Sequence, residues 1–207
     1  MRTTRTLGAI SLGLALSLGL AACGEDGNKA TETGSASTEA ADHNDADVTF
    51  ATDMIQHHAQ ALSMVDLTTN RPLDPEVQAL AEDIRNAQAP EIETMTGWLT
   101  DWNEEVPDTT LNGGSSDQGM GDMEGMEGMD DMPGMMSADD MDALENASDK
   151  DFQDMWLEMM VEHHKGAIEM AQAEVANGKY QPAVDLAEQV VKTQTAEVAT
   201  MTNLLGS

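Results

Sequence analysis

The apolar residues of the chain are spaced for four long α-helices arranged in two pairs. In each stretch they recur at intervals of three and four positions, which places them on one face of a helix. Capping residues and first-turn prolines predict helices at about 47–69, from 75 onward and at 148–177, a last helix that has Pro182 in its first turn and runs to 205, and a short helix from 137 to about 146. Asp47 is the predicted N-cap of the first helix. The predicted fold class is all-α, an antiparallel four-helix bundle of two helical hairpins.

The second pair of helices repeats the first at a constant offset of 106 positions. Met54-Ile55-Gln56-His57-His58 corresponds to Met160-Val161-Glu162-His163-His164, and Gln88-x-x-Glu91 corresponds to Gln194-x-x-Glu197. An internal duplication of this kind indicates two units, neither of which buries its apolar face alone.

One proline distinguishes the two copies. Pro90 lies within the second predicted helix, where the later copy has Ala196. Because proline lacks a backbone N–H and its ring clashes with the preceding turn, we expect this helix to kink or break at Pro90.

The first 23 residues have the features of a bacterial export signal. Arg2 and Arg5 precede an apolar run at 7–20 that is short for a membrane span. The run ends in Leu20-Ala21-Ala22-Cys23, which resembles the lipobox of bacterial lipoproteins and implies cleavage before Cys23 and diacylation of its thiol. The alternative is an ordinary secretory signal with a chance cysteine. Export is expected in both cases.

The stretch after Cys23 is rich in Gly, Ser, Thr and acids and has no apolar periodicity, so we expect it to be disordered. The predicted segments are a lipoprotein signal peptide (1–22), a disordered tether (23–46), the first hairpin (47–105), a Met-, Asp-, Glu- and Gly-rich flexible linker (106–136), a short helix (137–147) and the second hairpin (148–205). We therefore expect an extracytoplasmic protein that its N-terminal lipid holds at the cell membrane.

The charge balance narrows the range of partners. The chain has 39 acidic against 9 basic residues, a formal net charge of −30. Such a field repels nucleic-acid backbones and attracts cations, so we expect a metal ion and no nucleic acid as partner. No sequence feature identifies a protein partner. Cys23 is the only cysteine, which leaves the mature domain without a thiolate for a metal.

Histidines and carboxylates fall within the apolar arcs of the predicted helices. His58 and His164 lie near the middle of their arcs, whereas His57 and His163 are predicted on the flank, as surface-accessible or supporting groups. A carboxylate in a core must pair, protonate or bind a cation. One interpretation is a metal centre in the bundle core. The alternative is a structural network in which each histidine donates to the facing glutamate.

The metal interpretation gives a defined set of residues. The candidate ligands in the bundle are His57, His58, Glu91, Met95, His163, His164, Glu197 and Met201. The side chains expected to support them are Gln88, Gln194, Met54, Met64, Met160 and Met170. The chain has no Glu-x-x-His motif, which disfavours a di-iron carboxylate oxidase.

The second half of the predicted linker contains a methionine repeat. Six methionines recur at every third position among glycines and acids, at Met120, Met123, Met126, Met129, Met132 and Met135. This period matches no stable amphipathic helix, so we expect exposed thioethers on a flexible chain. Thioethers suit Cu(I), which makes copper the predicted metal, with another transition metal as the alternative. A spacer without metal function and a sink for oxidants are the other interpretations.

The His-His and Gln-x-x-Glu motifs, in this order, resemble a bacterial exported family called domain of unknown function 305. The resemblance covers about residues 47–205. It implies a ferritin-like helical bundle, and some members of the family are associated with copper binding and copper tolerance outside the cytoplasm. Because Pro90 falls inside the first Gln-x-x-Glu motif, the two half-sites need not be equivalent.

The expected function is copper buffering or chaperoning at the cell envelope, which requires no bond-making chemistry. Two alternatives remain open. One is a metal-dependent oxidoreductase of the envelope, and the other is a metal-free helical scaffold.

Overall fold

The computed structural model describes residues 42–109 and 132–206, which contain helices and no strand. The five helices of this part of the chain are α1 (Asp45–Asp66), α2 (Pro75–Trp102), α3 (Ala138–Glu145), α4 (Asp149–Asn177) and α5 (Gln181–Leu205). None of them is both long and apolar enough to cross a membrane. The predicted signal peptide, most of the tether and much of the methionine repeat lie outside the described residues.

The helices pack in pairs through their apolar faces. Helix α1 packs against α2, α5 packs against α4, and α1 also contacts α4. One buried cluster includes Phe152 and Trp156, and a second includes Phe50 and Leu99. The indole N–H of Trp156 donates to the backbone carbonyl of Met64 (2.9 Å), which ties α4 to α1. The α1–α4 contact therefore brings the two His-His motifs towards each other.

The N-terminus of α1 is held by a capping box and by the α4–α5 turn. Asn44 is the N-cap, because its side chain accepts two first-turn N–H groups and its own N–H donates to Asp47 (2.7 Å). The other Asp47 oxygen accepts the backbone N–H groups of Lys179 (3.0 Å) and Tyr180 (2.8 Å). Two predictions are therefore wrong: Asp47 is not the N-cap, and residues 42–46 belong to the folded unit and not to the tether.

Helix α2 continues through Pro90 to Trp102, so the helix does not break there and only the predicted kink stays a prediction. Pro90 is exposed, and solvent can hydrate the carbonyl group that loses its N–H partner there. Helix α1 ends at Asp66 and not at Thr69. The other predicted starts agree with the structure, since Ser137 caps α3 and Pro182 lies in the first turn of α5.

Candidate metal centre

Two histidines and two glutamates form equivalent pairs, one in each half of the chain. His58 on α1 contacts Glu91 on α2 (Nε2 to Oε2, 2.7 Å), and His164 on α4 contacts Glu197 on α5 in the same way (2.8 Å). Both imidazoles are fully buried, whereas the two glutamate side chains keep 16% and 19% of their surface exposed. The hydrogen bond that the structural alternative predicts is therefore present in both halves.

His57 and His163 face each other where α1 packs against α4. Their ring centroids are 3.7 Å apart and the ring planes are inclined by 38°. Both side chains are buried. The prediction that they lie on an accessible flank is wrong, because the packing of α1 on α4 covers that flank. All four histidines of the two motifs are therefore buried.

The hydrogen bonds fix which ring nitrogen carries the proton in three of these rings. A carboxylate and a peptide carbonyl can only accept, so His58 and His164 donate from Nε2 to their glutamates. His57 likewise donates from Nε2 to the backbone carbonyl of Pro133 (3.1 Å). The Nδ1 atom of each ring then carries the lone pair, and it has no hydrogen-bond partner among the described residues. Metal-binding histidines are commonly oriented in this way.

His163 has no hydrogen-bond partner at either ring nitrogen within the described ranges. A neutral imidazole carries one N–H, so this ring keeps a buried donor unsatisfied, which costs about 1–3 kcal/mol. Gln88 and Gln194 are also buried, and their Oε1 atoms have no partner in the same part of the chain. Unpaired polar atoms are rare in protein interiors, and a group of them is typical of a ligand site.

Burial keeps the two facing imidazoles neutral. It lowers the pKa of His57 to about 3, with the neighbouring His58 and His164 as further causes. The pKa of His163 also lies well below its ordinary value, first because of burial and then because of the three other rings. The neutral ring is the form that binds metal ions. Both rings therefore remain competent ligands at neutral and mildly acidic pH.

The end of the predicted linker lies against these histidines. We call residues 132–137 the strap. The side-chain amide of Gln60 donates to the carbonyl of Met136 (2.8 Å) and accepts its N–H (2.7 Å). On α4, a Cβ at Gly166 would overlap the Pro133 carbonyl group. Residues 132–136 are thus packed on α1 and α4, and the prediction of a flexible linker is wrong for them.

The predicted methionine sites fall into three groups. The fully buried ones are Met54, Met64, Met95, Met160 and Met201. Met132, Met135 and Met170 are half-buried. The prediction that Met132 and Met135 are exposed is wrong, because the strap packs on the helices. Outside the described residues lie Met120, Met123, Met126 and Met129, together with the predicted lipidation site Cys23.

The donor atoms of this centre fit a soft metal ion better than a hard one. No three His, Cys, Asp or Glu side chains in residues 42–109 and 132–206 are arranged to hold one ion as they stand. The carboxylates of the centre already accept imidazole N–H groups. Unpartnered imidazole nitrogens and buried thioethers remain, and these suit copper rather than magnesium or calcium. Met54 and Met160 each precede a His-His motif by one helical turn and share its helix face.

Sequence reasoning missed Gln60, Gly166 and the Pro133 carbonyl. Gly166 carried a usable signal, since a glycine inside a helix is unfavourable by about 1 kcal/mol and invites a packing explanation. Gln60 and Gly166 also occupy corresponding positions of the repeat, with a large side chain in one copy and none in the other. A backbone carbonyl leaves no trace in a sequence pattern.

The family model of DUF305, a domain of unknown function, matches residues 47–205. A DUF305 protein of Streptomyces coelicolor, provisionally named as secreted, is 34% identical over 78% of this chain and 92% of its own, with a TM-score of 0.63. A DUF305 fragment from Deinococcus radiodurans is 27% identical over 79% of this chain and 97% of its own, with a TM-score of 0.64. The helix pairs pack as in these structures, which confirms the all-α class.

The chain is also similar to CopM. The Cu(II)-bound form of CopM is 27% identical over 77% of this chain and 95% of its own, with a TM-score of 0.61. For the Cu(I)-bound form the identity is 25% over 76% and 94% of the two chains, with a TM-score of 0.58. No curated protein matches the chain.

Proposed function

Since the chain belongs to the DUF305 family, we propose that it binds copper and acts as a copper buffer or chaperone outside the cytoplasm. The observation that carries the proposal is the group of four buried imidazoles with unpartnered ring nitrogens. The copper-bound forms of CopM, at 25% and 27% identity, support the choice of metal.

The proposed ligands are the nitrogens and sulfurs that the described residues leave unengaged. They are Nδ1 of His57, His58 and His164, a ring nitrogen of His163, and the thioethers of Met54 and Met160. We assign Glu91 and Glu197 a different role from the one first predicted. Each holds the proton of its histidine on Nε2, which leaves the lone pair on the buried Nδ1 atom. Met64 and Met170 remain candidate supporting side chains. We propose the same role for Met95 and Met201, which were first predicted as ligands, whereas Met54 and Met160 change from supporting side chains to ligands.

The methionine repeat is proposed to capture Cu(I) ahead of the histidines. Its last two members, Met132 and Met135, belong to the strap, whose Pro133 carbonyl accepts the His57 N–H. Acidic residues between the methionines add negative charge that concentrates cations. The repeat and the histidines would then form one transfer path, because they meet at the strap.

Export and lipid anchoring belong to the proposal as well. The support is the sequence of residues 1–23 and the provisional naming of the Streptomyces coelicolor relative as secreted. If Cys23 is acylated, the protein should label with a radioactive fatty acid and sediment with membranes. Cys23→Ser should abolish both properties. Unlabelled wild-type protein in the membrane-free fraction would argue against the anchor.

The duplicated bundle is the fold we propose for the whole unit. In it, two hairpins, α1–α2 and α4–α5, bring equivalent half-sites together through α1 and α4. The equal sequence separation of the His58–Glu91 and His164–Glu197 contacts supports this symmetry. Copper would then bind between the two halves of the repeat.

A competitive Cu(I) titration against a chromogenic chelator tests the proposed function. We would compare residues 24–207 with His58→Ala/His164→Ala and with a variant that lacks 113–131 but keeps the strap. The control is His43→Ala, which removes the one histidine outside the two motifs, whose ring stacks on Trp102.

The proposal predicts that the wild-type protein competes for Cu(I) and that the double variant and the deletion each lose separate equivalents. His43→Ala should bind as the wild type does. If the wild type does not compete, the buried histidines and glutamates are a structural network. If the double variant binds as well as His43→Ala, copper binds elsewhere and the assigned ligands are wrong.

A further inference from the structure

We infer that the strap, residues 132–137, positions His57 for metal binding and makes the two His-His motifs chemically different, with Gln60 and Gly166 as the residues that seat it. The inference rests on the proposed copper-binding function. Its physical basis is a set of backbone contacts that a merely flexible linker would not make.

The seat of the strap has one polar and one steric component. On α1, the Gln60 amide forms two hydrogen bonds with the backbone of Met136, so it fixes both position and orientation of that peptide. On α4, Gly166 lies so close to the Pro133 carbonyl group that any larger residue would displace it. Gly134 has a φ of 76°, and a Cβ there would lie 2.6 Å from the Glu162 carbonyl oxygen. The strap backbone therefore rests directly on both helices.

The seated strap determines the tautomer of His57. The Pro133 carbonyl oxygen is the hydrogen-bond partner of His57 Nε2 (3.1 Å), and it can only accept. The proton is thereby held on Nε2 and the lone pair on Nδ1. Without the carbonyl, either nitrogen could carry the proton, and a metal ion would bind only the fraction of rings with the correct tautomer.

The strap also makes the two copies of the repeat different where it contacts them. His57 corresponds to His163, and Gln60 corresponds to Gly166. The first copy uses its histidine and glutamine to hold the strap, and the second copy supplies the space for it. His163 is left without a partner among the described residues, although its ring lies 3.7 Å from that of His57. The proton of His57 is thus fixed by the strap, whereas no contact within the described residues fixes the proton of His163.

Gly166→Ala tests the strap with a matched control. Gly97→Ala is the control, because Gly97 also lies inside a helix and a Cβ there meets nothing within 4 Å. Both changes raise helix propensity equally, so a difference between them reports the displaced strap. Gln60→Ala is the second variant and loosens the strap from α1. The tautomer of His57 is read in the metal-free full chain from imidazole ¹⁵N chemical shifts, and Cu(I) affinity is read by chelator competition.

The wild type and Gly97→Ala should have His57 protonated on Nε2 alone. Gly166→Ala and Gln60→Ala should have mixed tautomers and a Cu(I) affinity lower by about 10–100-fold. The inference is overturned if both variants keep the single tautomer, or if the tautomer changes while affinity stays within about twofold of the control. If Gly166→Ala does not fold, the tautomer of His57 and the Cu(I) affinity of Gln60→Ala decide whether the inference stands. If the wild type binds no Cu(I), the proposed function fails, and the tautomers of the metal-free variants still decide whether the strap positions His57.

Discussion

The four histidines of the centre are distinguished by the hydrogen-bond partner of their Nε2 atom. His58 and His164 donate to carboxylates, His57 donates to a peptide carbonyl, and His163 has no partner in the described part of the chain. A carboxylate strengthens the basicity of the ring to which it is bonded, and a carbonyl does so less. His58 and His164 are therefore alike as ligands, whereas His57 and His163 differ from them and from each other, although the sequence repeats the same His-His motif.

Glu174 is a buried ionisable group outside the metal centre. Its side chain is buried against the α4–α5 turn, beside the carboxyl group of Asp47. Burial raises the pKa of Glu174 from 4.5 to about 8, and a hydrogen bond to Asp47 and the negative charge of that carboxylate act in the same direction. The folded protein thus holds this proton more tightly than the unfolded chain does. Its contribution to stability is complete below pH 4.5 and is lost as pH rises towards 8.

Glu174→Gln should remove this loss of stability, because the amide stays neutral. Above pH 8 we expect the free energy of unfolding of the variant to exceed that of the wild type by on the order of 2 kcal/mol. At low pH the two proteins should be alike. Urea unfolding across the pH range measures the difference, with the exposed Glu169→Gln on the same helix as control. Parallel pH profiles for wild type and Glu174→Gln would contradict the assignment.

At the scale of the element, the two proline-containing helices illustrate how position decides the effect of a residue. Pro182 lies in the first turn of α5, where backbone N–H groups make no hydrogen bond within the helix. Pro90 lies well inside α2, where such a bond is lost. The helix persists because α2 packs against α1 on one face and carries Pro90 on its exposed face. Tertiary packing therefore outweighs the local penalty.

Pro90→Ala should restore a backbone hydrogen bond and relieve the ring clash, raising the free energy of unfolding by about 1–3 kcal/mol. Ala196→Pro, at the corresponding position of α5, should lower it by a similar amount or more. Chemical denaturation of the two variants compares them directly. If Pro90→Ala is destabilising, Pro90 is not a local penalty that packing outweighs, since the proline would then contribute a required bend.

Much of the fold was predictable from sequence because helix periodicity and caps are local properties. Ser137 and Pro75 begin helices as their capping patterns indicate. Asp47 was misjudged because its three backbone donors come partly from the α4–α5 turn, more than a hundred residues away. The prediction that His57 and His163 are exposed was wrong for the same reason. A helical wheel places each side chain on a flank, but it does not show that the other helix covers that flank.

At the scale of the whole molecule, the centre joins the two halves of the chain. Its histidines lie on α1 and α4, and each half supplies its own carboxylate from α2 or α5. The formal net charge of −30 opposes compaction and attracts cations. A metal ion bound between the halves would therefore both neutralise charge and link the two helix pairs.

Copper should therefore stabilise the folded protein. At free Cu(I) a hundred times the dissociation constant, the free energy of unfolding should rise by about 2.7 kcal/mol. Thermal unfolding under anaerobic conditions, with and without Cu(I), measures the effect. His57→Ala/His163→Ala should lose most of the shift, whereas His43→Ala should keep it. An equal shift in both variants would mean that copper does not bind at the α1–α4 contact.

The most direct test of the copper centre is anomalous scattering at the copper absorption edge from crystals of the Cu(I)-loaded protein. We expect an anomalous peak at bonding distance from Nδ1 of histidines on both α1 and α4, with Glu91 and Glu197 still hydrogen-bonded to Nε2. A peak on the glutamate carboxylates, or no peak near the four imidazoles, would contradict it.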